Sequence, residues 1–352
     1  MSAPRKIAII TGTSGNLGIN IAYRLCDEIP SDHRLTIIVT SRTLVKANET
    51  IKSIEKYNDE HSHRKTGFLD FDYLLLDFGD MISVATAIYK LKKDYPKLDY
   101  LFLNASQNAH DHFDYFAATK QMLSDPIGAS TCPEYKMEKV GVKTKDGMGF
   151  VFQVNVFGPF YFIESLKKCL FVKSEDPRII WVGSVMSKTK YLSFDDMQLL
   201  RTEVPYGGSK RLVDLVHLAT YKELYDEYGI KQYLTHPGVF VSFSFFKFLN
   251  IFSYYIMMMM FYMARFLGSP WHNLTGWNAA NAPIFVALKA DIKSDRQDLK
   301  YGSASTARGH EYLKIDEIDP TGKDDVLKYL KQLKEEWDEK LKDQVTDTRR
   351  AY

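Results

Sequence analysis

Short runs rich in Ile, Val, Leu and Phe alternate along the chain with longer stretches whose apolar residues recur at three- and four-residue steps. The first kind of run suits a strand buried on both faces and the second a helix laid against it, so the alternation predicts a doubly wound parallel sheet. Six strands are expected, at 6–11, 35–40, 71–76, 100–104, 178–183 and 232–235. Helices are expected between them at 17–27, 44–57, 81–95, 148–170 and 206–228. The fold class is thus α/β: a single Rossmann-type sheet over residues 1–290, with insertions near 105–147, 187–204 and 240–274 and a C-terminal extension over 291–352. These insertions should gather around the carboxyl edge of the sheet, where such folds bind ligands, with 187–204 looping out. In the extension, Val326, Tyr329, Leu330, Leu333, Trp337 and Leu341 mark one amphipathic helix, docked by its apolar stripe on the main domain or a partner subunit. Its polar face mixes both signs of charge, unlike a membrane-surface helix.

At 352 residues and 45% hydrophobic content the chain can bury a sizeable core. Its 46 Lys plus Arg nearly balance 44 Asp plus Glu, which leaves no field to recruit nucleic acid. Cys26, Cys132 and Cys169 lack paired spacing and read as buried thiols of a reducing compartment. The start MSAPRKIAIITG runs straight into a strand, so no secretory signal is expected. His110, Asp111, His112 and Asp114 cluster in one insertion without a second ligand group, and no metal is expected there. Phe248–Ala264 is free of charge for seventeen residues, closed by Lys247 and Arg265, and contains the run YYIMMMMFYM. That length is the bottom of the spanning range. Interfacial segment, core helix and span all remain open, and the methionines and tyrosines favour an interfacial segment beside a greasy pocket.

TGTSGNLG at 11–18 joins the first strand to the first helix, so the amides around Gly12, Thr13, Ser14, Asn16, Leu17 and Gly18 converge on one anion site. After the second strand the chain reads TSRT instead of carrying an acid. Ser41 and Arg42 there suit a 2′-phosphate and point to NADPH, the alternative being that Arg42 is merely solvated. Tyr206 and Lys210 lie four residues apart on a helix, where the lysine cation can lower the phenol pKa. Ser184 ends a strand and can donate to a carbonyl oxygen or merely cap a turn. Asn155 sits mid-helix and can hold a water against Lys210 or simply pack.

Together these motifs resemble the short-chain dehydrogenase/reductase family. The resemblance implies that Asn155, Ser184, Tyr206 and Lys210 form a catalytic group, with Asp77 near the adenine and Asn104 steadying the central strand. It also implies that HPGVFVS brings Pro237, Gly238, Val239 and Ser242 to the nicotinamide. Two departures stand out: Asn16 replaces a glycine, with tolerance of left-handed backbone as its expected virtue, and Ser106 replaces the last residue of N-A-G. The stretches FGPFYFI, YGGSKRLVDLVHLATYK, LGSPWHN and NAANAPIFVAL are similar to the fungal 3-keto-steroid reductases, and more distantly to vertebrate type 7 17β-hydroxysteroid dehydrogenase. This subgroup implies NADPH-dependent reduction of a 3-keto sterol to its 3β-alcohol in ergosterol synthesis. It further implies a peripheral or monotopic place on the endoplasmic reticulum membrane or lipid droplet, beside other sterol C4-demethylation enzymes. Another lipid ketone, or a non-catalytic scaffold on the same fold, is the competing expectation.

Overall fold

A computed structural model describes residues 4–241 and 251–344. Eight strands form the main sheet: β1 (Arg5–Ile10), β2 (Arg34–Ser41), β3 (Leu69–Leu75), β4 (Tyr100–Leu103), β5 (Arg178–Val182), β6 (Lys231–His236), β7 (Lys300–Ser305) and β8 (Glu311–Asp316). Their order is β8-β7-β6-β5-β4-β1-β2-β3, parallel throughout except for the antiparallel pair β7 and β8. The order reverses between β1 and β4, so a crevice opens beyond the carboxyl ends of these two strands.

The six expected strands are present within two residues of their expected ends. The last two were not expected, and they correct the boundary after residue 290, because Lys300–Ser305 and Glu311–Asp316 extend the same sheet. Strand β7 reads KYGSAS and is buried at every position with hardly an apolar side chain. Burial comes from small residues packed tightly: a Cβ on Gly302 would meet the His236 ring at 2.4 Å.

Helices cover both faces. On one face lie α1 (Asn16–Glu28), α2 (Leu44–Tyr57) and, later in the chain, Asn281–Leu288, closing over Ile10, Ile37 and Phe102. On the other lie α3 (Met81–Asp94), α4 (Gly158–Leu166) and α5 (Pro205–Tyr228), closing over Ile9, Leu101 and Trp181. The C-terminal helix α6 (Lys323–Leu341) docks here by Val326, Leu330, Leu333, Trp337 and Leu341, as its periodicity predicted. A π turn, Gln153–Phe157, precedes α4.

The insertions pack on this frame. Residues 187–204 do not loop out. They form two short turns, Thr189–Tyr191 and Phe194–Asp196, wedged between α5 and α6: the Gln198 amide donates to the Tyr329 hydroxyl (2.8 Å), and Tyr191 lies against Gly207. In 105–147 a hairpin pairs His110–Phe113 with Lys136–Glu138, and Asp114 caps the helix Tyr115–Ser124 by accepting from the Phe116 and Ala117 amides. His112 pairs with Asp111 (2.8 Å). Of the three thiols, Cys26 is buried while Cys132 and Cys169 are only half-buried, and all are free.

The methionine run forms the helix Ile251–Phe266. Tyr255, Met259, Tyr262, Met263 and Phe266 recur along one exposed face, and Tyr115, Phe116 and Leu123 are exposed on the helix Tyr115–Ser124 of the first insertion, all three by at least 80%. Among the described residues no helix is long and apolar enough to cross a membrane.

Candidate active site

The site is built from the carboxyl ends of six neighbouring strands, β1 to β6. Thr11 follows β1, and its hydroxyl donates to the Phe102 carbonyl (3.0 Å) while accepting from the amides of Asn104 (2.8 Å) and Ala105 (2.9 Å). The Asn104 side chain donates to the carbonyls of Thr11 (2.9 Å) and Gly12 (3.2 Å), so it ties β4 to the turn after β1. Gly12 takes φ +66°, and the Thr13 hydroxyl bridges the Ile10 carbonyl and the Thr40 amide. Ser14 and Gly15 complete the turn. Gly15 precedes α1 and gives no side-chain cap, which leaves the first-turn amides of Asn16, Leu17 and Gly18 with no acceptor inside the helix. A Cβ on Gly18 would come within 2.4 Å of the Gly12 oxygen, so only glycine lets helix and turn close into this cradle. Its amide lining and positive helix end fit a pyrophosphate.

Asn16 departs from its expected role. It is the first residue of a right-handed helix and needs no left-handed tolerance. Its side-chain amide instead donates to the Val241 carbonyl, drawing the segment after β6 across the turn. In that segment Gly238 takes φ +67°, Asn273 donates to the Pro237 carbonyl (2.7 Å), and the Val239 amide donates to Trp271 (2.6 Å). Ser242 lies outside the described residues. Ser41 and the exposed Arg42 stand at the end of β2. Asp77 follows β3, where its carboxylate accepts from the Gly79 amide (2.9 Å).

Beyond β5, Ser184 and Tyr206 meet. The Ser184 and Ser106 hydroxyls both lie near enough to the Tyr206 hydroxyl to pull its pKa down. Lys210 lies on the same face of α5, its ammonium 5.7 Å from the centre of the Tyr206 ring, and donates to the Val182 carbonyl (2.8 Å). Electrostatics differ from expectation. Burial raises the Tyr206 pKa and outweighs the two serine contacts that pull it down; the Glu138 carboxylate adds to the rise. Lys210 is pushed down to about 7, first by burial and then by the Lys300 charge, against an opposing pull from Asp214. A lysine that yields its proton this readily is a weak acidifier, so the pair is assembled without an acidified phenol.

Asn155 also departs. Its carboxamide is spent on the segment after β4 and on α5, accepting from the Gln107 amide (2.8 Å) and donating to the Gln107 carbonyl (2.9 Å) and the Ser209 hydroxyl (3.0 Å). Its backbone carbonyl has no N–H to accept from four residues on, where Pro159 stands, and the π turn covers this point.

No family model matches the chain. Curated fungal proteins match it from end to end. The 3-keto-steroid reductase ERG27 of Candida albicans is 53% identical over 343 residues, covering 97% of each chain. That of Saccharomyces cerevisiae is 50% identical over 345 residues, covering 98% of this chain and 99% of its own. The chain belongs to the 3-keto-steroid reductase family. Membership makes it an oxidoreductase of a keto or hydroxyl group, and it embraces the insertions as well as the sheet. Solved structures share the fold at low identity. An L-sorbose reductase from Gluconobacter frateurii, complexed with NADPH and L-sorbose, aligns with TM-score 0.58 at 13% identity over 84% of this chain and 95% of its own. YwfH, an NADPH-dependent reductase, aligns with TM-score 0.53 at 17% identity over 81% and 92%.

Several site residues of this family member escaped the sequence reading. Ser106, visible there only as a departure, brings a second hydroxyl to Tyr206. Glu138 reaches from the insertion to accept from the Tyr206 amide (2.9 Å) and from Asn108 (3.1 Å), which caps α5 where no residue of its own does. Only the proline four residues after Asn155 could have been read in advance.

Proposed function

We propose that this protein reduces the C3 ketone of 4-demethylated sterol intermediates to the 3β-alcohol in ergosterol synthesis, with NADPH as reductant. The end-to-end identity with fungal 3-keto-steroid reductases, about half of all positions, carries this reading. The turn at 11–18 suits the pyrophosphate, and Ser41 and Arg42 suit the 2′-phosphate. Pro237, Gly238, Val239 and Ser242 suit the nicotinamide end, with Asp77 toward the adenine. When bound, NADPH supplies the hydride to the ketone carbon. The chain's own residues handle the oxygen. Ser184 donates to the carbonyl oxygen as negative charge grows there, and Tyr206 hands its proton to the same atom. Reduction needs the phenol protonated, and its raised pKa keeps it so at neutral pH. Lys210 stands beside the phenol ring, and the Asn155 carbonyl suits a water through which a proton can be replaced.

A sterol partitions into membranes, and the exposed faces of Tyr115–Ser124 and Ile251–Phe266 suit a lipid surface that delivers it. This supports a peripheral or monotopic position on the cytosolic face of the endoplasmic reticulum and on lipid droplets; the family resemblance supports work beside other sterol C4-demethylation enzymes. The test is NADPH oxidation with a 3-keto sterol, a 17-ketosteroid and 3-ketosphinganine offered in turn. Turnover confined to the first is expected, and turnover confined to either of the others overturns the substrate assignment.

A further inference from the structure

Lys300 opens β7, 116 residues after Ser184, yet its side chain runs beneath the end of β5. Its ammonium donates to the Ser184 carbonyl (2.9 Å), to the Ser187 hydroxyl (2.6 Å) and to both carboxylate oxygens of Asp214 (3.0 and 2.9 Å). Every N–H it owns is therefore engaged. Lys300 and Asp214 expose 8% and 4% of their side chains. Taking two charges out of water opposes folding and their attraction only offsets that, so an apolar pair of similar volume commonly stabilises a fold as well or better. The pair's use is thus to be sought in what it holds.

It holds the serine turn. Ser187 also donates to the Ser184 carbonyl (3.1 Å), while the Ser184 hydroxyl oxygen accepts from the Met186 amide (3.1 Å). With that lone pair occupied, the hydroxyl proton is directed away from the turn and toward Tyr206 and the reacting oxygen. Gly183 keeps room for the arrangement, since a Cβ there would stand 3.3 Å from both the Asp214 oxygen and the Lys300 Cε. Asp214 lies one helical turn beyond Lys210 and two beyond Tyr206, on one face of α5.

We propose that Lys300 is a positioning residue: paired with Asp214, it clamps the Ser184–Ser187 turn and aims the Ser184 hydroxyl at the substrate carbonyl. This rests on Ser184 and Tyr206 being the groups that meet the ketone. A second effect follows from the same geometry. Lys210 is faced by Tyr206 and Asp214 from its own helix and by Lys300 from β7, with Glu138 beyond Tyr206. His217 and His236, which also feel Lys300, are buried and held neutral, and Lys188 and Lys314 face His236. Lys300 lowers the Lys210 pKa and Asp214 raises it, so deleting either charge moves Lys210 in opposite directions.

The test compares Lys300→Met, Lys300→Arg, Asp214→Asn and the neutral double variant Lys300→Met/Asp214→Asn in the full-length protein. Steady-state kinetics with NADPH and a 3-keto sterol are measured across pH, alongside NADPH binding by fluorescence. Lys300→Met is expected to lower kcat by about 100-fold, the scale of a sub-ångström to ångström misplacement, with KM and NADPH affinity within about twofold. Lys300→Arg restores part of the loss. The double variant, which leaves no unpaired buried charge, keeps the low kcat. Titration of Lys210, followed by 13C NMR of labelled lysines with Lys210→Met for assignment, should shift up in Lys300→Met and down in Asp214→Asn. Unchanged kcat in Lys300→Met and the double variant, or Lys210 shifts of the same sign, overturns the proposal. If the wild type ignores 3-keto sterols but reduces another ketone, the substrate assignment fails, and the same comparisons on that ketone decide the role of Lys300.

Discussion

Lys210 lies 5.7 Å from the centre of the Tyr206 ring and gives its hydrogen bond not to the phenol but to the Val182 carbonyl, one strand away. The helical pair and the end of β5 thus form one unit, with the Ser184 and Ser106 hydroxyls near the phenol.

Tyr206→Phe removes the phenolic hydroxyl and leaves the ring packing. Loss of a general acid commonly costs about 10²- to 10⁴-fold, and kcat is expected to fall within or below that range. NADPH affinity, read by fluorescence titration, should stay within about twofold. Retained turnover would remove the phenol from the chemistry.

Arg42 stands exposed at the end of β2, where truncation disturbs no packing. A hydrogen bond to a charged group contributes about 1.5–3 kcal/mol. Arg42→Ala should therefore lower the NADPH-over-NADH ratio of kcat/KM roughly 10- to 100-fold with kcat for NADH preserved. An unaltered ratio would place 2′-phosphate recognition elsewhere.

The exposed aromatic and thioether faces give a third expectation. Phe116→Glu, Met259→Glu and Phe266→Glu alter side chains that are largely exposed, so thermal stability should barely move. Flotation with phospholipid vesicles should weaken by about tenfold or more for each, since burying one such side chain contributes about 1.5–3 kcal/mol. Equal flotation of all three variants and the parent would transfer lipid contact to another surface.

Acid should unfold the protein through its buried histidines. His217 is fully enclosed, hydrogen-bonded on both ring nitrogens to the Gln297 carbonyl (2.6 Å) and the Gln232 amide (3.2 Å), and burial pushes its pKa down to about 4. A histidine depressed in the folded state binds its proton more readily when unfolded, so stability is intact above the ordinary pKa of about 6.5 and drains away as pH falls toward 4. In His217→Gln the fall of the urea midpoint between pH 6.5 and 4 should be shallower than in the parent.

The strands that carry the nucleotide turn were legible because their buried faces are written in Ile, Val and Leu, as in β1 and β2. Strand β7 was not, because Gly302 is buried by the closeness of His236 and Trp271, and Ser303 by its hydrogen bonds to Ala279 and Ala282, instead of by their own bulk. Helix Asn281–Leu288 reads NAPIFVAL, apolar nearly all round, so it shows no stripe to betray its period. Within the site, Tyr206, Lys210 and Ser184 could be found from type and spacing. Lys300, Asp214 and Glu138 could not, since each meets its partner across a fold-level distance that no local pattern encodes. The direction of the Tyr206 shift was hidden for the same reason: the cost of enclosing a phenolate depends on the whole surrounding shell.

One carboxamide, that of Asn16, spans from the anion cradle to the Val241 carbonyl at the root of the greasy lobe. Moving Val241 away from the turn means breaking this bond, so the segment after β6 and the first turn of α1 are tied together at one point.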